Sequence, residues 1–289
     1  VSYNSLESYA ASLEEALTRP YPAYEAVGIQ NPGGDYNQLA TTLLQIENEF
    51  YGTIRPKRVI RPGERPLHAL RERGVEYVEV RLMDLDPFEP IGLNADTARF
   101  LDLFLLHCLL EDSPPDSPDE IAAVKNNQHL TAARGREPGL LLQRLGQPVT
   151  LADWAADIVG QLEPVAAAMD AQDGGRAYAD ALAAARAALA APHTLPSARV
   201  LSAMRAEHAD SFSAFVSARS LDTRARLLAL PYSADLKARF DQLAAASVAE
   251  QKRIEASDQV PFEDYRREYT SPERLGTGAR AVLAGAESV

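Results

Sequence analysis

Fourteen of the 27 residues from Val165 to Ala191 are alanine, a density that packs well only as helix. Pro and Gly break the surrounding region into helix-sized pieces, at Pro148, Gly174-Gly175, Pro192, Pro196 and Pro231 among others. Before residue 92 the pattern is different, with β-branched residues, aromatics and period-2 alternation. Two such unlike regions predict an α+β, helix-rich fold. Residues 1–92 read as a small sheet portion, 93–270 as a mostly α-helical part and 271–289 as a flexible tail. Strands are expected at Gln38–Tyr51, Lys57–Ile60 and Val75–Leu82. Helices are expected near 4–17, 64–72, 94–112, 117–134, 150–171, 174–190, 196–208, 211–220 and 232–257, with a loop over Pro20–Tyr36.

The length of 289 residues suits one or two domains, and 46% hydrophobic residues supply a core. Net charge is −12, which argues against DNA, RNA or anionic lipid as a bulk partner. Residues 55–81 are the exception, with eight Lys/Arg against four acids, leaving −16 for the rest. The longest apolar run, Phe100–Leu110, is interrupted by Asp102 and His107 and is too short to span a bilayer. The single cysteine, Cys108, cannot close an internal disulfide, so a reducing, cytoplasmic compartment is expected. Cys108 reads as buried and inert, and Trp154 as a core residue. No secretory signal is expected in Val1–Tyr9, and the opening Val suggests a processed or partial chain.

The chemistry concentrates on Val75–Leu82. Side chains on a strand alternate, so Tyr77, Glu79 and Arg81 share one face, and Glu76, Val78, Val80 and Leu82 share the other, which should meet helices. Glu79 and Arg81 then start about 7 Å apart. That spacing lets a carboxylate hold a metal while a guanidinium grips a neighbouring anion. Taken alone, the strand favours the plainer reading of an ordinary surface ion pair on an exposed sheet face. Upstream, Glu47-Asn48-Glu49-Phe50-Tyr51 precedes the basic Arg55-Pro56-Lys57-Arg58, an arrangement that fits a nucleoside triphosphate or a merely solvated loop. No Gly-rich phosphate loop is present, and Gly33-Gly34 reads as a turn. His68, His107, His129, His193 and His208 are too scattered to form a metal set.

Several segments together carry a resemblance. Leu44-Gln45-Ile46-Glu47-Asn48-Glu49-Phe50-Tyr51, Ile54-Arg55-Pro56-Lys57-Arg58, Val75-Glu76-Tyr77-Val78-Glu79-Val80-Arg81, Asp84-Leu85-Asp86-Pro87-Phe88 and Arg99-Phe100-Leu101-Asp102 resemble the proteobacterial type of glutamate–cysteine ligase. The likeness is dense from about residue 40 to 106 and collinear on both sides, and the stretch it covers looks like the C-terminal half of the family's longer chains.

The resemblance implies an antiparallel sheet like the funnel of glutamine synthetase, covered by helices. It implies an ATP- and magnesium-dependent reaction that joins the γ-carboxylate of glutamate to cysteine through an acyl phosphate, the first step of glutathione synthesis. By the same resemblance, Glu79 is a magnesium ligand and Arg81 a catalytic residue that binds glutamate and its developing acyl phosphate. Tyr51 lines the cysteine pocket. Charge and position make Arg55, Lys57 and Arg58 the candidates for nucleotide contacts. The partners implied are glutamate, cysteine, ATP and the N-terminal half of the enzyme, with no nucleic acid and no membrane. The competing reading is a non-catalytic helical binding or regulatory module.

Overall fold

The computed structural model describes residues 1–276, which fold into two compact units. Among these residues, Val1–Met83 and 234–276 make the first, and Asp84–Ser233 the second.

The first unit opens with α1 (Leu6–Thr18). Its N-terminus is closed reciprocally: the Ser8 N–H donates to Ser5 Oγ at 3.1 Å and the Ser5 N–H to Ser8 Oγ at 3.0 Å. One stripe of α1, Tyr9, Ala10, Leu13 and Leu17, is buried against Leu67, Leu70 and Leu275. Each buried leucine there contributes about 2 kcal/mol. Then come α2 (Pro22–Val27), β1 (Ile54–Lys57), α3 (Pro66–Arg73) and β2 (Tyr77–Val80). The strands pair antiparallel, Ile54 opposite Val80, Arg55 opposite Glu79, Pro56 opposite Val78 and Lys57 opposite Tyr77.

The second unit begins with α4 (Ala95–Leu110) and α5 (Pro118–Arg134), followed by the antiparallel hairpin of β3 (Leu141–Arg144) and β4 (Gln147–Thr150). The helices α6 (Leu151–Gln161), α7 (Glu163–Asp173), α8 (Ala177–Ala190), α9 (Pro196–Glu207) and α10 (Phe212–Leu228) follow. Leu103, Val159, Leu162, Ala166 and Leu182 form its core. Small alanine side chains let α8 lie close to α4 and α7. Asp170 on α7 accepts the Tyr178 and Ala179 N–H groups at 2.9 and 3.0 Å, capping the first turn of α8.

The chain returns to the first unit with α11 (Ala234–Ser257), which buries no residue, and α12 (Phe262–Thr270). A 3₁₀ turn, Pro272–Leu275, places Leu275 in the core of that unit. No helix among the described residues is long and apolar enough to cross a membrane.

Several expectations change. Gln38–Tyr51 is not a strand: it is irregular, with a Pro20–Thr42 bridge and a 3₁₀ turn at Glu47–Glu49. Side chains take the backbone groups that a ladder would use, the Leu39 N–H donating to Gln45 Oε1 at 2.5 Å and the Gln45 N–H to Glu49 Oε2 at 2.7 Å. The strand expected at Lys57–Ile60 lies earlier, at Ile54–Lys57. The helix expected over 150–171 is two helices, because Pro164 in the first turn of α7 has no N–H to continue the helix before it. Pro20–Tyr36 contains α2. The β3–β4 hairpin was not expected. Its turn puts both Leu145 (φ 50°) and Gly146 (φ 75°) in the left-handed region, and a leucine there gives no sequence signal. Residues 271–276 are in place against the first unit, and the rest of the expected tail, 277–289, lies outside the described residues. Cys108 is exposed rather than buried. Trp154 is only half-buried, with the Arg144 guanidinium 5.5 Å from its ring centre.

Candidate functional site

The site begins at the β1–β2 ladder. Directly opposed residues of an antiparallel pair share a face, so Arg55 and Glu79 start together, with Lys57 and Tyr77 beside them. The Arg81 N–H donates to the Thr53 carbonyl at 2.8 Å and the Glu76 N–H to the Lys57 carbonyl at 2.8 Å, extending the pairing past both strand ends.

Arg81 Nε lies 3.1 Å from Glu79 Oε1, and Lys57 Nζ lies 3.6 Å from Glu79 Oε2. The Arg81 guanidinium sits 5.6 Å from the centre of the Tyr51 ring. Tyr51 is 82% exposed, so this cluster is open to a ligand. Burial pushes the Glu79 carboxyl up, but the hydrogen bond and charge of Arg81, with the charges of Lys57 and Arg55, outweigh it and hold the group below its ordinary range. Glu79 is thus a carboxylate at neutral pH. Its Oε2 is buried and has no hydrogen-bond partner among the described residues.

Lys57 Nζ is the ion-pair partner of this oxygen at 3.6 Å, so a metal takes it only in place of the ammonium. The described residues contain no group of three or more metal-ligating side chains.

The guanidinium groups of the other two basic candidates have partners of their own. Arg55 is buried, and its Nη2 donates to the Glu47 carbonyl at 2.9 Å. Arg58 donates to the Arg73 carbonyl and lies 3.4 Å from Glu76 Oε2. Of the three, Lys57 is the one in an ion pair with Glu79, while Arg55, opposite Glu79 in the ladder, reaches it through its charge. The opposite strand face also differs from expectation, since Val78 and Leu82 are exposed instead of covered by helices. Ile54, Pro56 and Val78 line an open apolar hollow of about 240 Å³ whose other side is formed by Tyr3 and by Leu6 and Tyr9 of α1, so that face is only partly covered.

Sequence reading missed Arg65. It joins Glu47, which falls within the stretch expected to be a strand, in a buried ion pair with Nη2–Oε2 at 2.8 Å. No local spacing relates the two.

Residues 1–131, which include every residue of the cluster, match the model of the glutamate-cysteine ligase family. A glutamate–cysteine ligase of Azotobacter vinelandii is 48% identical over 267 residues, covering 92% of this chain and 50% of that protein. The chain belongs with the glutamate–cysteine ligases. A second such ligase, from Pseudomonas paraeruginosa, is 46% identical over 273 residues, with the same coverage of 92% and 50%. The crystal structure of the Francisella tularensis glutamate–cysteine ligase in complex with AMP superposes with a TM-score of 0.87 at 32% identity, covering 96% of this chain and 54% of that one. The chain therefore spans about half the length of the curated glutamate–cysteine ligases it matches.

Proposed function

We propose that this chain supplies one wall of a ligase that joins the γ-carboxylate of L-glutamate to the amine of L-cysteine at the expense of ATP. In this reading it is the C-terminal half of the enzyme for the first step of glutathione synthesis, acting in the cytoplasm. The observation that carries the reading is the Glu79–Arg81–Tyr51 cluster, inside the stretch that matches the ligase family.

A γ-carboxylate oxygen of glutamate bonds to the γ-phosphorus of ATP, and ADP leaves. The cysteine nitrogen then bonds to the acyl carbon, phosphate leaves, and the amine gives up a proton as the amide forms. Phosphoryl transfer of this kind needs cations against the spreading charge more than covalent help. Arg81 holds the glutamate carboxylate and the acyl phosphate through its planar fork. Tyr51 forms a side of the cysteine pocket, its exposed ring already beside Arg81. Lys57 is the nucleotide contact, while Arg55 and Arg58 are held by other partners. Glu79 would contribute one ligand to magnesium through Oε2, the oxygen that makes no hydrogen bond and lies 3.6 Å from the Lys57 ammonium, which the metal would displace. A bound magnesium would draw charge from the nucleotide phosphates, which themselves commonly serve as its ligands. The AMP complex of the Francisella ligase supports a nucleotide site in this class of protein.

The test is ADP release with ATP, magnesium, glutamate and cysteine. The purified chain is assayed alone and mixed with the separately expressed remaining half of a longer relative. Release in the mixture, dependent on both amino acids, is expected. No release in either sample overturns the reading.

A further inference from the structure

Glu47 is the only carboxylate among the described residues that is fully buried, 1% exposed, and Arg65 beside it is 2% exposed. Arg65 Nε donates to Oε1 and Oε2 of Glu47 at 3.1 and 2.8 Å, and the Leu67 N–H donates to Oε1 at 3.3 Å. Taking two charges out of water costs several kcal/mol apiece, and an apolar pair of equal volume is often as stable. Stability is therefore a weak account of this pair. Geometry is a stronger one.

The pair sits where three stretches of the first unit meet. Glu47 opens the 3₁₀ turn that ends just before Phe50 and Tyr51. Its carbonyl accepts the Phe50 N–H at 3.1 Å and Arg55 Nη2 at 2.9 Å. Arg55 stands opposite Glu79 in the ladder, so the turn is tied directly to the strand pair that carries the cluster. Phe50 is seated edge-on to Tyr9, ring centres 6.2 Å apart. On the far side, Arg65 donates to the Tyr269 carbonyl and stacks 4.7 Å from the Tyr269 ring centre, drawing α12 into the same junction. Tyr51 itself is exposed, and its ring meets the Arg81 guanidinium.

We propose that Glu47 and Arg65 are positioning residues: their buried pair pins the 3₁₀ turn so that the Tyr51 ring meets the Arg81 guanidinium. The link from that contact to cysteine binding rests on the function proposed above; the pinning does not. A carboxylate held by a guanidinium fork fixes direction as well as distance, which an apolar pair does not. Removing the charge from Glu47 leaves the turn closed but free to pivot, and Tyr51 leaves Arg81.

The test uses the full chain with ¹³C-labelled tyrosine rings. Arg81→Met marks where the Tyr51 signals lie once the contact is gone. In Glu47→Gln the Tyr51 signals are expected to move at least halfway to that position, with the Tyr77 signals on β2 unmoved. Arg65→Lys keeps a cation without the fork and should shift Tyr51 in the same direction, so the comparison stands even if Glu47→Gln does not fold. A folded variant of lowered melting temperature whose Tyr51 signals do not move makes the pair merely structural and overturns the proposal. In the two-half enzyme, Glu47→Gln should raise KM for cysteine about tenfold and leave KM for ATP within twofold. A Tyr51 shift without a change in the cysteine KM upholds the pinning and removes Tyr51 from the cysteine pocket, so the two failures are told apart.

Discussion

Arg81 Nε lies 3.1 Å from Glu79 Oε1, a carboxylate and a guanidinium on one side of a single strand. The pair leaves the rest of the guanidinium fork turned toward the exposed Tyr51 ring. An anion entering there finds a cation already oriented, and little has to reorganise when charge develops.

Arg81→Ala should therefore lower turnover of the two-half ligase by about 100-fold or more, the usual loss for one oriented charge-stabilising donor. Arg81→Lys should recover only a small part, because an ammonium cannot reproduce the planar fork. Glu79→Gln should also lower turnover, by removing the only carboxylate of the cluster. Steady-state product formation checks all three, and near-normal turnover in Arg81→Ala would falsify the role given to it.

Breaking the buried pair on one side should be costly. Glu47→Ala leaves the Arg65 guanidinium buried without its counterion, and a loss of about 3–5 kcal/mol is expected. The joint change Glu47→Leu with Arg65→Met should destabilise less than either single change. Urea midpoints of the full chain decide this, and strict additivity of the two single changes would count against a coupled pair.

Acid should loosen the first unit before it loosens the second. Hydrogen bonds from Arg266 and Tyr36 outweigh desolvation and hold Glu263 down to about 2, against an ordinary value of 4.5. Glu64 is held at about 2 in the same way, by hydrogen bonds from Arg73 and the Arg61 backbone. Both folded values are depressed, so the stability they contribute is complete above the ordinary value and is lost as pH falls from about 4.5 to 2. Glu263 joins α12 to Tyr36 at 2.8 Å and Arg266 reaches the Leu39 carbonyl at 2.6 Å, so α12 should release first. Hydrogen exchange of α12 amides across that window measures it. Glu263→Gln should flatten the dependence, and an unchanged profile would argue against the linkage.

In the second unit, Asn127 acts as a substitute strand. Its Nδ2 donates to the Gln143 carbonyl at 2.7 Å and its Oδ1 accepts the Gln143 N–H at 2.9 Å, while Gln143 faces Pro148 across the hairpin. Asn127→Ala leaves both backbone groups without a partner and should cost about 1–3 kcal/mol. Thermal unfolding of the variant checks the figure, and a change below about 0.5 kcal/mol would show that water replaces the side chain.

Much of the fold could be read from short-range pattern. The apolar stripe of α1, the alanine-rich α8 and the alternation of Val75–Leu82 each depend on residues within a turn or two of one another. The same alternation over Gln38–Tyr51 misled, because Gln45 and Glu49 spend their side chains on nearby N–H groups and no ladder forms. The β3–β4 hairpin was invisible because its turn uses a leucine where a glycine or asparagine would have signalled it.

For the candidate site, the sequence by itself determined that Glu79 and Arg81 share a strand face and that basic residues lie close by, since a two-residue period needs no information from elsewhere. The tertiary structure alone decided which charges stay in the open. Arg55, Lys57 and Arg58 look alike in the chain, yet the Glu47 carbonyl and the Glu76 carboxylate engage the guanidinium groups of Arg55 and Arg58, and Lys57 is the one left in an ion pair with Glu79. Glu47 looks like a surface acid until Arg65 and Tyr269 arrive from distant stretches to enclose it. A charge is buried only where a partner compensates its lost hydration, and long-range folding determines where that partner comes from.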